Sequence, residues 1–490
     1  MDIGAGWTVR WIGRLEIGGE GMAASMAGEV MALENRLRVR EGLPFMIDPT
    51  LIVDSTMSQF FASPRFRKLE PSSMRSYTTS YRVFFNFLWT RGMTWRDADV
   101  DAIEDYEDWR RRAPQNPSHV AGTTFKRELA ALGLLYHWAQ SRGFVAGSPL
   151  LTRVVRLHDG SVRETYEASP KNTQRRDVKW LTPRAFKLWL RVGLEGMGVD
   201  AAEDPAWRGR NSDRNAGYAQ LLFDSGLRRT EAASLLTFEI PEADNARRYV
   251  WSRVGAAATK TKHGRAFPVQ SKTAKMLETY RISRRAGAIR RAQAAHRYDR
   301  VSEKLVVVSR TLDSLTWKDD AGNGATSKIA NVRVAERLRL YEEANGSLEP
   351  LWFWLSEDGL PFLPDSWENV FRAANVRVAA TGMPSPPFMR PHMARHSFAL
   401  IRLVHFMGVF DKRFQLAPED RVYFRQLYGD AWLAVQSLLG HASPDVTRDI
   451  YLAPVQEILG RTLIEYDEED LQGLVHSLLS RSPRVLDTVE

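Results

Sequence analysis

The side chains best suited to chemistry lie close together between residues 390 and 454. The segment RPHMARHSFA carries His392 and Arg395, and the segment LLGHASPDVTRDIYLAP carries His441 and Tyr451. Because His392 and Arg395 are three positions apart, they would share one face of a helix. A guanidinium beside imidazole donors suits an anionic oxygen such as that of a phosphate. The spacing therefore predicts an anion site with a phenol nearby in the sequence.

Two further cationic groups lie upstream, and the fold would have to bring them to that site. Gly226 is placed to end an apolar helix, Arg228 follows it, and Glu231 comes three residues later. The runs RRYVWSRV and RAFPV, separated by GAAATKTKHG, predict a β-hairpin that presents Lys260 and Lys262. Taken alone, lysines at a hairpin tip are more typical of a solvated turn than of a site.

The overall composition limits the classes of partner, the kinds of metal site and the location that the chain could have. The chain has 490 residues, which predicts about three domains, and 68 basic against 59 acidic residues give a net charge of +9. This excess favours a polyanion, either nucleic acid or an anionic surface. Cysteine is absent, which excludes disulfides and thiolate metal sites. With no signal-peptide pattern and no long apolar run, we expect a soluble cytoplasmic protein with no membrane partner.

Changes in periodicity predict the domain organisation. Residues 49–149 contain three amphipathic helical patterns, for which serines at 72–73 and Thr123 or Thr124 are cap candidates. A polar, basic and aperiodic stretch that follows is typical of a linker. The full prediction is an N-terminal extension of uncertain role (1–48, a DNA-contacting arm or a loose leader), a helical domain (49–149), a basic linker (150–178), a main domain (179–466) and a C-terminal helix or tail (467–490).

Within the main domain, Thr182 and Pro183 predict a helix start, and the segments near 271–348 and 400–430 are predicted insertions. In the first insertion, ISRRAGAIRRAQAAHRYDR predicts a basic helix and TWKDDAGNGATSK predicts a polar loop. The spacing of His392 and His396 resembles that of a zinc helix, but Met393 takes the place of the usual glutamate and no third ligand is evident. We therefore expect no metal and no other cofactor.

The motifs gain specificity from their order: GLRRTE at 226–231, Lys260 in its hairpin, HMARH at 392–396, LGH at 439–441, then Tyr451. This order resembles the tyrosine recombinase (phage integrase) family across roughly residues 49–466. The resemblance implies a mainly α fold with a small β-sheet (α+β). A helical SAM-like core-binding domain and a mixed α/β catalytic domain would form a C-shaped clamp on DNA.

The resemblance also implies roles for the motif residues. Tyr451 would attack a DNA phosphodiester and form a 3′-phosphotyrosyl bond. Arg228 and Arg395 would bind the non-bridging oxygens, and Lys260 would protonate the leaving 5′-oxygen. A free phenol is only about 0.1% ionised at neutral pH, so cationic and imidazole neighbours are also needed on physical grounds.

The remaining assignments are supporting ones. His392 and His441 would position the phosphate and assist proton movement, whereas Glu231 and His396 would support the site from behind. Lys262 fits the motif less well than Lys260, because the spacing from Lys260 to the proline after the hairpin is the family's usual one. The candidate contacts to the DNA backbone are Arg75, Lys126, Arg127 and Lys262.

The expected function is site-specific recombination or integration, with strands exchanged through a Holliday junction. The expected partners are duplex DNA with specific sites, three further copies in a homo-tetramer, and accessory DNA-bending or directionality factors. Location would be the prokaryotic nucleoid. Two alternatives stay open: a type IB topoisomerase or telomere resolvase with the same chemistry, and a DNA-binding protein that does not cleave.

Overall fold

The computed structural model describes residues 6–13, 40–156, 162–170, 179–414, 431–440 and 485–486. The chain divides into two units, residues 1–175 and 176–490, each with its own hydrophobic core. The first unit is mainly helical, as its periodicity predicts. Its helices are α1 (Ser55–Ala62), α2 (Pro64–Arg67), α3 (Pro71–Trp89), α4 (Val100–Arg111) and α5 (Gly122–Ser141).

Aromatic side chains hold these helices together. The Tyr81 hydroxyl donates to the carbonyl of Ala131 at 2.9 Å and so joins α3 to α5, and the Tyr106 hydroxyl donates to Glu128 at 2.9 Å and joins α4 to α5. The predicted caps are wrong at two helix starts. Helix α3 begins at Pro71, whose fixed φ suits the first turn, and α5 begins ahead of both threonine candidates.

Both ends of the predicted N-terminal extension belong to the first unit. Strand β1 (Thr8–Trp11) pairs antiparallel with β2 (Pro44–Ile47). The backbone N–H of Trp7 donates to Asn86 Oδ1 at 2.6 Å, and its ring packs edge-on against Phe85. The interpretation as a loose leader is therefore wrong for residues 7–11 and 44–47, and the interpretation as a DNA-contacting arm stays a prediction. The helix predicted near 22–42 lies largely outside the described residues.

The predicted linker contains regular structure. Strands β3 (Thr152–Arg156) and β4 (Val162–Tyr166) form an antiparallel hairpin, so the prediction of an aperiodic stretch is wrong there. Valines and threonines on both strands favour an extended backbone. The Tyr166 hydroxyl lies against Gly133 on α5, where even a Cβ atom would come within 1.9 Å of it. Residues 171–178 of the predicted linker are outside the described part.

The second unit is built around α7 (Ser212–Ser225), which is buried along most of its length. The Tyr218 ring on α7 stacks on Trp367 with 3.5 Å between centroids, and the Trp354 indole N–H donates to the carbonyl of Ala232 at 2.8 Å. The helices are α6 (Pro183–Leu190), α7 (Ser212–Ser225), α8 (Arg229–Ala233), α9 (Ser271–Tyr280), α10 (Ala286–Ala294), α11 (Val334–Arg337), α12 (Trp367–Ala379), α13 (Pro391–Phe414) and α14 (Ala431–Leu439).

The strands of the second unit form small separate sheets. A parallel pair joins β5 to β13, an antiparallel hairpin joins β6 to β7, and the five-stranded sheet has the order β10-β9-β8-β11-β12. The ranges are β5 (Trp180–Leu181), β6 (Tyr249–Val254), β7 (Arg265–Gln270), β8 (Leu305–Arg310), β9 (Ser314–Asp319), β10 (Gly324–Lys328), β11 (Leu340–Ala344), β12 (Ser347–Pro350) and β13 (Val485–Leu486).

The first predicted insertion contains that five-stranded sheet. Its basic helix is confirmed, since α9 continues through a π-helical turn into α10. The predicted polar loop is wrong, because TWKDDAGNGATSK spans the β9–β10 hairpin. Leu315 and Trp317 alternate with polar residues and pack in a separate core. Arg337 fastens this region with two bonds to Glu239, at 2.5 and 3.0 Å.

Three further expectations can be compared with the fold. The Thr182 cap is confirmed, because its Oγ1 accepts from the N–H of Ala185 at 3.1 Å. In the second predicted insertion α13 continues to Phe414, and residues 415–430 lie outside the described residues. Of the predicted C-terminal helix or tail only β13 is described, as a strand. The α+β class is confirmed, and no described helix is both long and apolar enough to cross a membrane.

Candidate active site

The candidate site begins at the C-terminal end of α7, where Gly226 turns the chain towards Arg228. Gly226 has φ +63° and its N–H closes the helix on the carbonyl of Leu222 at 3.1 Å. A Cβ at this position would lie 2.4 Å from Cδ1 of Phe398 on α13. Only glycine fits both the left-handed backbone and this close approach. The glycine of the first motif therefore brings the Arg228 segment against the helix that carries Arg395.

Arg228 and Glu231 form a closed pair at the start of α8. Arg228 is the N-cap residue: its backbone N–H donates to Oε2 of Glu231 at 2.8 Å, and its Nη1 donates to Oε1 at 2.8 Å. Glu231 thus satisfies a helix donor and orients the guanidinium at once. The side chain of Arg228 keeps 23% exposure while that of Glu231 has 1%, so the cation faces outward from a buried carboxylate.

A third residue of the cluster, Arg265, is absent from the sequence motifs. It is the first residue of β7, buried, and donates from Nη2 to Oε2 of Glu231 at 2.5 Å and from Nη1 to Oε1 at 3.3 Å. Its Nε donates to the carbonyl of Leu438 on α14 at 2.9 Å. The sequence did contain a signal for this role of Arg265. In the predicted strand RAFPV, Arg265 shares one face with Phe267 and Val269, and all three are buried in β7.

Arg395 lies on α13 and is buried, with 1% exposure. Its Nη1 donates to the carbonyl of Gly226 at 2.6 Å and its Nη2 to the carbonyl of Leu439 at 2.6 Å. The guanidinium therefore joins two segments that lie far apart in sequence. Gly440 follows with φ +62°, and a Cβ there would lie 2.9 Å from Cδ of Arg265. The glycine of the LGH motif is thus required by the packing of Arg265.

The charges of this cluster do not cancel. Arg228, Arg265 and Arg395 surround one carboxylate, which leaves two positive charges in excess among these four described side chains. Burial alone would raise the pKa of Glu231, but the hydrogen bond and charge of Arg265, with the charge of Arg395, lower that pKa to about 2. Glu231 is ionised at neutral pH, and the cluster remains cationic. Such a site favours a bound anion.

A second buried carboxylate fixes the end of α7. Asp224 accepts hydrogen bonds from Gln220 at 3.0 Å, from Gln270 on β7 at 2.9 Å and from Thr273 on α9. Burial raises the pKa of Asp224, although the bonds from Thr273 and Gln220 act in the opposite direction. Asp224 therefore joins the segment that leads to Arg228 with the strand that carries Arg265.

The two histidines of the HMARH motif lie on α13, the helix that also carries Arg395. The His392 and His396 rings are 4.4 Å apart between centroids in a T-shaped contact. His392 is exposed, whereas His396 is buried together with Arg395. The geometry gives His392 access to a bound ligand and keeps His396 in the packing behind it.

The predicted lysines lie in the loop between β6 and β7, which confirms the hairpin. Lys260 and Lys262 are both exposed, and the loop is closed by Thr259, whose Oγ1 donates to the carbonyls of Ala256 and His263 at 2.9 and 3.1 Å. The same hairpin carries Arg265 at the start of its second strand, so the loop with the two lysines ends at a residue of the arginine cluster.

The other predicted site residues fall into two groups. His441 and Tyr451 lie outside the described residues. In the first unit, Arg75 on α3 and Lys126 and Arg127 on α5 are exposed on the helical surface. The described residues contain no group of three or more His, Cys, Asp or Glu side chains arranged to hold a metal ion.

Sequence comparison identifies the helical unit. Residues 64–143 match the family described as "Phage integrase, N-terminal SAM-like domain". The match spans α2 to α5 and confirms the resemblance for this part of the chain. No curated protein sequence matches the chain.

Several solved structures are similar over most of the chain, each at 12% identity. The XerH site-specific recombinase in a post-cleavage complex with difH substrate has a TM-score of 0.44 over 90% of both chains. The Tn1549 transposon integrase with circular intermediate DNA has 0.43 over 83% of this chain and 98% of its own. A lambda integrase dimer on a COC′ core site has 0.39 over 85% and 99%. The family match, rather than these structural similarities at low identity, supports the assignment of residues 64–143.

Proposed function

We propose that this chain, whose residues 64–143 belong to the phage integrase N-terminal SAM-like family, is a site-specific DNA recombinase of the tyrosine type. The observation that carries the proposal is the cationic cluster at the end of α7. Arg395 bonds to the carbonyl of Gly226, 169 positions away in sequence and two residues before Arg228. Two guanidiniums from distant motifs thus belong to one cluster with excess positive charge, which suits the two non-bridging oxygens of a phosphodiester.

The proposed reaction conserves the energy of the broken bond. The Tyr451 oxygen attacks phosphorus, the bond from phosphorus to the 5′-oxygen breaks, and the DNA strand becomes joined to the protein through a 3′-phosphotyrosine. The 5′-oxygen leaves as a hydroxyl after taking a proton from Lys260, and the reverse reaction with a new 5′-hydroxyl rejoins strands without ATP. Phosphoryl transfer depends mainly on positioning and on charge stabilisation, which arginines and imidazoles can supply.

Each residue of the cluster has a proposed part in this reaction. Arg228 and Arg395 stabilise charge on the non-bridging oxygens, and His392 and His441 orient the phosphate and carry the tyrosine proton. Glu231 holds Arg228 through two hydrogen bonds of 2.8 Å, which fixes the plane of its fork. The exposure of His392 supports giving it a direct part, and the T-shaped contact of the His396 ring with the His392 ring supports giving His396 a packing part.

The SAM-like unit supplies the proposed second DNA contact. Arg75, Lys126 and Arg127 are exposed on α3 and α5 and are proposed to bind the DNA backbone, with Lys262 contacting it from the hairpin. We assign core binding to residues 49–149 and catalysis to residues 179–466, with residues 150–178 between them in the sequence. The expected assembly is a tetramer on two duplex sites in the nucleoid, with accessory bending or directionality factors.

The central experiment tests whether a covalent intermediate forms at Tyr451. Duplexes bound by the full chain are selected from a random pool and rebuilt with a nick beside each candidate scissile phosphate, so that a released short strand cannot be rejoined. The wild-type chain should give a protein–DNA adduct that survives SDS. Tyr451→Phe should bind the same duplex and give none, while Tyr466→Phe, at the next tyrosine in the chain, should behave as the wild type.

The products then separate this proposal from its alternatives. Recombinant strands and Holliday junctions between two sites support recombination. Relaxation of supercoiled plasmid at any sequence would indicate a type IB topoisomerase, and hairpin ends from a palindromic site would indicate a telomere resolvase. DNA binding with no adduct from the wild-type chain would overturn the enzyme assignment and leave a DNA-binding protein.

A further inference from the structure

Arg265 makes contacts that join the two halves of the phosphate site. On one side its guanidinium donates two hydrogen bonds to Glu231, the carboxylate that holds Arg228. On the other side its Nε donates to the carbonyl of Leu438, and the next carbonyl along α14, that of Leu439, accepts from Arg395. One planar group therefore holds the carboxylate partner of Arg228 and the carbonyl next to the one that Arg395 binds on α14.

The carbonyls that Arg265 and Arg395 bind both lie at the C-terminal end of α14. The last carbonyls of a helix have no partner within the helix, and here Arg265 and Arg395 satisfy two of them in succession. Gly440 then leaves the helix against the Arg265 side chain, and His441 is the next residue. A shift of Arg265 would displace the segment that leads to His441 together with the Glu231 carboxylate.

A purely structural ion pair in the same unit provides the contrast. Arg337 is fully buried and donates two hydrogen bonds to Glu239, as Arg265 does to Glu231. Its remaining bonds go to the carbonyls of Ser234, Val332 and Ile329, and none of these partners binds another arginine of the site. Arg337 joins the insertion to the core, whereas Arg265 shares its carboxylate with Arg228.

We propose that Arg265 is a positioning residue that sets Arg228 and Arg395 in register with each other and with the segment preceding His441. The proposal rests on the proposed function and adds a residue that the motif order does not contain. All three guanidinium nitrogens of Arg265 donate to Glu231 or to the carbonyl of Leu438, so the proposal gives Arg265 no contact with the phosphate. Its effect should therefore fall on the rate of cleavage by bound protein rather than on DNA affinity, since small misplacements of catalytic groups lower rates about 100-fold.

The test measures binding and single-turnover adduct formation on the nicked duplex for the full chain, below the unfolding temperature of each variant. Arg265→Gln should bind within about threefold of the wild type and form the adduct about 100-fold more slowly. Arg265→Lys keeps the charge without the planar fork and should be slower by about 10-fold. Arg337→Gln is the matched control and should cleave within about threefold of the wild type after correction for the folded fraction.

A double-mutant cycle tests whether Arg265 acts through Glu231. If it does, Arg265→Gln combined with Glu231→Gln should be no slower than the slower single variant. Multiplied losses would mean that the two residues act separately and would overturn the inference, as would a wild-type rate for Arg265→Gln or an equal loss in Arg337→Gln. If Arg265→Gln does not fold, Arg265→Lys decides by the same criteria.

The two proposals fail in different ways. If the wild-type chain forms the adduct and both Arg265 variants form it at the same rate, the positioning role alone is overturned. Absence of adduct from the wild-type chain overturns the proposed function and the positioning role with it.

Discussion

Two short helices of the second unit begin with the same local arrangement. Helix α8 starts with Arg228 and Glu231, and α11 starts with Arg333 and Glu336. In both, the N-cap backbone N–H donates to the glutamate at 2.8 Å and the arginine side chain closes on the other carboxylate oxygen. The four-residue motif alone therefore builds a helix cap, whatever else the region does.

The two regions differ in what lies beyond the cap. Glu336 keeps 25% exposure and Arg333 74%, whereas Glu231 keeps 1% and receives two further hydrogen bonds from Arg265. Despite the opposing effect of burial, the pKa of both carboxyls is lowered, and that of Glu231 reaches about 2. The comparison shows that a long-range cation, and not the motif, turns a solvated cap into a buried cluster of arginines around one carboxylate.

The largest expected difference between the two caps is in the stability that is lost when the carboxylate charge of each is removed in turn. Glu231→Gln leaves Arg265 buried without its counter-charge and should lower the free energy of unfolding by about 3–5 kcal/mol. Glu336→Gln weakens only an exposed cap and should cost about 1 kcal/mol or less. Urea unfolding of both variants checks this. Equal losses at the two positions would mean that Arg265 adds nothing to the α8 cap.

The next difference concerns chemistry rather than stability. Arg228→Lys replaces a planar fork by a point charge and should slow adduct formation by about 100- to 1,000-fold. Arg333→Lys makes the same change in the solvated copy of the motif and should leave the rate unchanged. Single-turnover cleavage on the nicked duplex measures both, and a matching loss in Arg333→Lys would contradict the functional distinction between the motifs.

The sequence predicted the parts of this site that depend on local pattern. Gly226 marks a helix end, and the three-residue spacing of His392 and Arg395 places both on one helix, as the structure has them. It could not predict the choice between two R-x-x-E motifs from their local sequence, because both form the same cap. The deciding residue, Arg265, comes from a strand 34 positions beyond Glu231.

For the fold, too, local sequence pattern predicted some elements, whereas elements that depend on long-range contacts were missed. Helix existence and type followed from periodicity, and the class followed from the family resemblance. The β9–β10 hairpin was missed because its charged and glycine-rich sequence is typical of a loop, while only Leu315 and Trp317 show the alternation. Such strands are stabilised by their neighbours in the sheet, and this information is not local.

Acid should reduce the stabilisation by the α8 cap more than that by the α11 cap, and the difference should be smaller than the effects of the substitutions above. The pKa of Glu231, about 2, lies below its ordinary value of 4.5, so its stabilisation is fully present above pH 4.5 and is lost as the pH falls towards 2. Between pH 5 and pH 3 the wild-type chain should lose about 2 kcal/mol through this group. Urea unfolding should show that loss reduced in Glu231→Gln and nearly intact in Glu336→Gln.

The smallest expected difference is in how strongly added salt weakens the ion pair of each glutamate. The Arg333–Glu336 pair lies in solvent, so a double-mutant cycle in 0.1 M salt should give a coupling of about 0.5 kcal/mol that nearly vanishes at 1 M NaCl. The Arg265–Glu231 pair is buried and bonded at 2.5 Å, so its coupling should persist at 1 M NaCl. Urea unfolding of the two cycles measures both couplings. If salt removed the Arg265–Glu231 coupling as well, solvent would have to reach Glu231, and the carboxylate could not hold Arg228 in the fixed plane that phosphate binding requires.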